Sequence, residues 1–133
     1  MVETLISKPI GVLIVDDNPV FLTRACRLVD LEHEFLVLGT AESGIMAVHQ
    51  ARALQPAVIL LDQQMPPGWT GLDTVPHLRQ VSPHSRIILL TFDGNARIRQ
   101  AAQVAGVDGF IQKSELIHEL RRTLIRCVHQ KAA

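Results

Sequence analysis

One stretch limits what this chain can become more than any other. Ala57-Val58-Ile59-Leu60-Leu61 is an unbroken apolar run that stops at Asp62, with Pro56 before it and Pro66-Pro67-Gly68 after it. The run is too short for a core helix and its flanks forbid extension, so it predicts a strand buried on both faces. Strands of that kind occur in parallel sheets covered by helices on both sides. Asp62 then stands where the strand leaves the core, and in open parallel sheets that carboxyl end is where ligands and chemistry are placed.

The pattern recurs along the chain. Ile10-Gly11-Val12-Leu13-Ile14-Val15 is a second such run, ending in Asp16-Asp17. Asn18 and Pro19 follow as N-cap and first residue of a helix, with Phe21, Leu22, Ala25, Cys26, Leu28 and Val29 at helical spacing. Phe35 to Gly39 reads as a strand, and a helix over about 43–54 carries Ile45, Val48, Ala51 and Leu54 as its inner stripe. After Asp62, a loop through Pro66 and Gly71 leads to a short helix over about 72–80. Pro76 must kink that helix or sit in its first turn. Arg86 to Leu90 is a fourth strand ending in Thr91, and residues 96–105 are helical with Gly106 as C-cap. Gly109 to Gln112 is a fifth strand ending in Lys113, and Ser114 is placed to cap a last helix with Leu116, Leu120, Leu124 and Val128 on one face. Five strands alternating with five helices predict an α/β domain with a doubly wound parallel sheet.

Composition sets the outer bounds. With 133 residues, 47% of them hydrophobic, the chain can bury one core without metal or disulfide staples. The 20% of charged residues sum to zero net charge, which argues against disorder and against direct nucleic-acid binding by this segment. Arg121, Arg122, Arg126 and Lys131 read as a solvated helix end. No apolar run is long enough to span a bilayer. Residues 1–9 lack the basic start and cleavage site of a secretory signal. The expectation is therefore a cytoplasmic chain, with an N-terminal segment over 1–9 and a folded domain over 10–133. Cys26 and Cys127 are expected to be reduced and packed as small hydrophobes. The histidines are scattered without metal-ligand spacing.

The strand ends carry the chemistry. Strands one, three, four and five deliver Asp16-Asp17, Asp62, Thr91 and Lys113 to one edge. If strands one and three are neighbours, as in the order 2-1-3-4-5, three carboxylates share a small site. At ~4 Å and an effective dielectric of ~20, each like-charged pair costs about 4 kcal/mol. A hard divalent cation relieves that cost, and Mg²⁺ suits a set of carboxylates, water and phosphate oxygens. Asp62, alone at the end of the central strand, is the best nucleophile, since a carboxylate can attack a phosphoryl group and form an acyl phosphate. Lys113 and Thr91 could neutralise the phosphoryl oxygens. Taken singly, Asp16-Asp17 could cap a helix, Asp62 could be a loop carboxylate, Thr91 a turn residue and Lys113 a surface lysine. Their joint placement points to a site.

These motifs resemble the receiver (CheY-like) domain of two-component response regulators over nearly the whole chain. The stretches that carry the resemblance are Val12 to Asp17, Ile59 to Pro66, Ile88 to Thr91, and Ala105 to Lys113. The resemblance implies a single flavodoxin-like (βα)5 domain with sheet order 2-1-3-4-5. It implies Mg²⁺-dependent phosphoryl transfer from a sensor histidine kinase phosphohistidine to Asp62. Asp17, Asp62 and the backbone carbonyl of Gln64 would be direct metal ligands, with Asp16 acting mostly through water. Thr91 and Lys113 would bind the phosphoryl oxygens, and Phe110 matches the aromatic that, with Thr91, forms the family's switch. The output face would be built from the fourth helix, fifth strand and fifth helix. Lys113-Ser114 resembles receivers that precede helix-turn-helix DNA-binding domains, which implies transcription as the output. The implied partners are a sensor histidine kinase or phosphotransfer protein and an output domain or downstream protein, with a phosphorylation-dependent homodimer left open. Such a domain assists its own phosphorylation and dephosphorylation and is not an enzyme toward an external substrate.

The sequence departs from the family pattern in a loop between Pro66 and Gly71 one residue longer than usual, in Phe92 where a smaller residue is frequent, and in Ser114 where proline is frequent. Phe110 also lacks the hydroxyl of the commoner tyrosine. Three rivals are weighed against the receiver reading. A flavodoxin-like cofactor binder would present a Gly/Ser/Thr-rich turn after strand one, where Asp16-Asp17 instead repel phosphate. A phosphatase-type enzyme with an aspartyl intermediate would want a second acid two residues past Asp62, where Gln64 stands. A phosphorylation-independent interaction module on the same fold would be marked by absence of Mg²⁺ binding. Trp69, the single tryptophan, is expected to report Mg²⁺ binding by its fluorescence.

Overall fold

The computed structural model describes residues 8–129. Its elements are β1 (Ile10–Val15), α1 (Pro19–Asp30), β2 (Phe35–Ala41), α2 (Gly44–Leu54), β3 (Val58–Asp62), α3 (Gly71–Val81), β4 (Arg86–Thr91), α4 (Ala96–Ala105), β5 (Gly109–Gln112), a 3-10 turn (Lys113–Glu115) and α5 (Leu116–His129). The strands form one parallel sheet in the order β2-β1-β3-β4-β5. Every residue of β3 is buried, as its apolar composition requires.

Side-chain alternation along the central strands splits the core in two. Val12, Ile14, Val58, Leu60, Ile88 and Leu90 pack under α1 and α5 with Leu22, Val29, Leu120 and Leu124. Leu13, Val15, Ile59, Leu61, Ile87 and Leu89 pack under α2, α3 and α4 with Ala47, Ala51, Val75 and Leu78. Sliding β3 by one residue would exchange the two sets, so the fit of both helical layers pins its register. That register fixes where Asp62 emerges.

Several local expectations need correction. β2 runs two residues past Gly39, to Ala41, because it continues its pairing with β1 as far as Val15. In α2 the inner face is Gly44, Ala47 and Ala51, while Ile45 is 57% exposed. α2 lies close against α3: a Cβ on Gly44 would collide with Thr74 and crowd Trp69. Close approach selects small residues, and a helix apolar on several sides gives no periodicity signal that says which side turns inward. Pro76 lies inside α3, not in its first turn. That helix is started by a capping box, with Thr70 accepting from Asp73 N and Asp73 accepting from Thr70 N, each at 3.0 Å. Ser114 caps nothing: it sits within the 3-10 turn, which has no side-chain cap. Val128 is only partly buried, and Thr123 and Cys127 complete the inner face of α5 instead. Residues 1–7 of the N-terminal segment, and Lys131, lie outside the described residues.

Candidate functional site

The carboxyl ends of β1, β3 and β4 meet at one edge. β1 and β3 are direct neighbours, with Val15 opposite Leu61, so Asp16 and Asp62 emerge side by side. One carboxylate oxygen from each of Asp16, Asp17 and Asp62 lies within 4.8 Å of the others. Asp16 is fully buried, Asp62 is 2% exposed, and Asp17 faces solvent. The Asp16 carboxylate is held by its own turn, Oδ1 accepting from Asn18 N at 2.8 Å. Asn18 in turn caps α1, its Oδ1 accepting from Val20 N at 2.9 Å and Phe21 N at 3.3 Å.

Lys113, the first residue after β5, brings the counter-charge. Its Nζ lies 2.6 Å from Asp16 Oδ2 and 3.1 Å from Asp62 Oδ1. Burial pushes the ammonium's pKa down, but pairing with the two carboxylates more than offsets it and leaves the group above the usual lysine range. Asp62 shows the opposite balance. Burial, and then repulsion from Asp16, raise its pKa to about 6 despite Lys113 and the Gln64 N–H, which donates to Oδ1 at 3.3 Å.

Among the described residues, three buried side-chain oxygens have no hydrogen-bond partner: Asp16 Oδ2, Asp62 Oδ2 and Thr91 Oγ1. The Asp16 oxygen is close to Lys113 as an ion pair, without the angles of a hydrogen bond. Buried polar atoms are normally satisfied, so orphans gathered at one edge call for a ligand that supplies positive charge and acceptors. A carboxylate cluster with free oxygens fits a hard cation, and the Thr91 hydroxyl has a proton to donate.

The edge is braced from below. Gln63, next to Asp62, donates its N–H to Leu90 O at 2.9 Å and takes Gly71 N at 2.9 Å on its carbonyl. Its side-chain Oε1 accepts from Leu72 N at 2.9 Å, completing the start of α3. Gly71 is required here: a Cβ would run into the Asp62 carbonyl oxygen and lie 3.0 Å from Gln63 Cα. Thr70-x-x-Asp73 is a capping signal legible in the sequence; Gly71 is legible there only as a loop residue, and Gln63 carries no local signal.

Other residues singled out from sequence fall as follows. Phe110 is half-buried on β5, packed against the α3/α4 core layer, with the Arg99 guanidinium 4.4 Å from its ring centroid. Phe92 is 80% exposed. Trp69 stacks on His77 of α3, with ring centroids 4.2 Å apart and planes 7° from parallel. Burial raises both cysteine pKa values, as expected for packed thiols. Phe21, at helical spacing in α1, packs half-buried against the core, and its ring centroid lies 4.4 Å from Lys113 Nζ.

A model of the response regulator receiver domain matches residues 12–125. The chain belongs to the response regulator receiver family. The nitrate/nitrite response regulator protein NarL of Escherichia coli is 31% identical over 126 residues, covering 95% of this chain and 56% of that protein. The probable transcriptional regulatory protein TcrX of Mycobacterium tuberculosis is 33% identical over 133 residues, covering 94% and 56%. The chain thus spans about half the length of these curated relatives. Among solved structures, the signal receiver domain of a NarL response regulator from M. tuberculosis superposes with a TM-score of 0.86 at 26% identity, covering 94% of this chain and all of that one. The response regulator domain of Thermotoga maritima CheB, at 24% identity and TM-score 0.83, shares the fold. Among the described residues no helix is long and apolar enough to cross a membrane.

Proposed function

We propose that this receiver domain accepts a phosphoryl group on Asp62, in a Mg²⁺-dependent reaction, from the phosphohistidine of a sensor kinase or phosphotransfer protein. The observation that carries the reading is the set of orphaned buried oxygens on Asp62, Asp16 and Thr91 at the carboxyl edge, with Lys113 paired to both carboxylates. Asp62 Oδ2 is the free oxygen of a carboxylate whose other oxygen is already held by Lys113 and Gln64 N, so it is the one left to attack. Asp17, Asp62 and the Gln64 carbonyl would hold the metal directly, and Asp16 through water. Bound Mg²⁺ would neutralise the phosphoryl oxygens during in-line displacement. Lys113, engaged with Asp16 and Asp62 beforehand, would move its ammonium to pair with a phosphoryl oxygen, and the Thr91 hydroxyl would donate to another.

Drawing Thr91 toward Asp62 pulls on the loop between β4 and α4. Phe110, on β5 with the Arg99 guanidinium of α4 over its ring, would pass the shift to the α4-β5-α5 face. Control of transcription by a cytoplasmic regulator fits relatives named as transcriptional and nitrate/nitrite regulators. A methylesterase/glutaminase of Pseudomonas syringae that is 36% identical over 107 residues shows similar sequence in a protein of another kind. The domain itself would turn over no external substrate.

The test is intact mass after incubation with Mg²⁺ and acetyl phosphate, beside an Asp62→Asn control. One added phosphoryl group, absent in the variant and without metal, is the expected result. No adduct together with no Mg²⁺ binding would overturn the reading in favour of a phosphorylation-independent interaction module.

A further inference from the structure

Lys113 has a third neighbour besides its two carboxylates. Its Nζ sits 4.4 Å from the centroid of the Phe21 ring, within the ~6 Å over which an ammonium is attracted to an aromatic face. Phe21 is the third residue of α1 and its orientation is set by the Asn18 cap, since Asn18 Oδ1 accepts from Phe21 N. The same Asn18 donates its N–H to Asp16 Oδ1, and Asp16 Oδ2 meets Lys113. The contacts therefore close a ring: Asp16 to Asn18, Asn18 to Phe21, Phe21 to Lys113, and Lys113 back to Asp16. The aromatic that holds the lysine and the acid that neutralises it are fixed by one turn.

We infer that Phe21 is a positioning residue for the phosphoryl-transfer site, holding the Lys113 ammonium over the acidic cluster through its ring face; this rests on the receiver reading above. In the step it serves, an Asp62 oxygen forms a bond to the phosphorus of acetyl phosphate, the bond from phosphorus to the acetate oxygen breaks, and acetate leaves with the electron pair. Lys113 must then move its ammonium from the carboxylates to a phosphoryl oxygen. A third acid in place of Phe21 would hold the ammonium back by a strong directional pair. A ring face attracts it weakly and without a preferred hydrogen-bond direction, so it positions the charge while leaving it free to shift. Phe21 also walls the groove between α1 and α5 that ends at Lys113, alongside Leu28 and Leu116, which limits the water reaching the ammonium from that side.

The experiment compares Phe21→Leu, which keeps apolar bulk but removes the ring, with Phe21→Tyr, which keeps the ring. Adduct formation with acetyl phosphate is timed by intact mass, and the Lys113 side-chain resonances are followed by NMR. The wild-type Lys113 CεH₂ signal is expected upfield from the Phe21 ring current. Phe21→Leu loses that shift and forms adduct about 2- to 30-fold more slowly, the span of a cation–π contact at tenfold per 1.36 kcal/mol. Phe21→Tyr restores both. An adduct-forming wild type with Phe21→Leu at the same rate overturns this inference alone. Equal slowing in the Leu and Tyr variants also overturns it, because packing would then suffice. A wild type that forms no adduct and binds no Mg²⁺ sinks the phosphoacceptor reading and this inference together; with Mg²⁺ bound but no adduct, a Lys113 signal without the ring-current shift overturns this inference alone.

Discussion

Asp62 should cost the fold stability, and removing its charge should return it. Its pKa rises from 3.8 in the unfolded chain to about 6 in the fold, with burial the larger cause and Asp16 the next. Between those values the native state binds more protons than the unfolded state, so the contribution of this group to stability falls as pH climbs through the window and stays low above it. A rise from 3.8 to about 6 corresponds to about 3 kcal/mol. Asparagine at 62 keeps the shape but carries its own desolvation, so the net gain for Asp62→Asn in metal-free buffer near pH 8 should be about 1–3 kcal/mol. At ~2.1 cal/mol/K per residue of unfolding entropy, that is a rise in Tm of roughly 4–10 °C. Urea unfolding of both proteins with EDTA, at steps between about pH 4 and pH 8, gives the readout. The gap should be small at the acid end, open between about pH 4 and pH 6.5, and remain level above. A variant no more stable than the wild type near pH 8, or a gap that does not change with pH, would refute the electrostatic account of Asp62.

Two further outcomes follow from the geometry. Lys113→Met removes the cation that holds the Asp62 pKa down, so the Asp62 carboxyl should titrate above about 6; a ¹³C NMR titration showing an unchanged or lower midpoint would count against the ion pair. Gly71→Ala drives a methyl group into the Asp62 carbonyl and should lower unfolding free energy by about 1–3 kcal/mol, with slower adduct formation because the acceptor strand is displaced; a fully stable, fully active variant would show that the loop relaxes freely.

Much of the fold was legible because its signals are local. A parallel strand buried on both faces is apolar along its middle, as β1, β3 and β4 are, so their places and polar ends could be read to within a residue. Asn18 before Pro19 and Gly106 after Ala105 mark helix ends with side chains and backbone freedom that act within one turn. Asp16, Asp17, Asp62, Thr91 and Lys113 were found because each ends a strand, and parallel strands place those ends on one edge.

What the chain by itself could not state are distances and directions set by remote packing. Asp108 accepts from Ile87 N at 2.8 Å and from Arg79 Nη2 at 3.0 Å, tying α3, β4 and the turn before β5 together across 29 residues. No periodicity announces such a pair. The inward face of α2 depended on how near α3 lies, and the direction of Trp69 on a stacking partner eight residues away in α3. Above all, the sequence determined which groups reach the carboxyl edge, because strand chemistry is local. Only the tertiary structure decided that Lys113 sits between Asp16 and Asp62 under the Phe21 ring, because that position is fixed by the meeting of α1, the sheet and the start of α5.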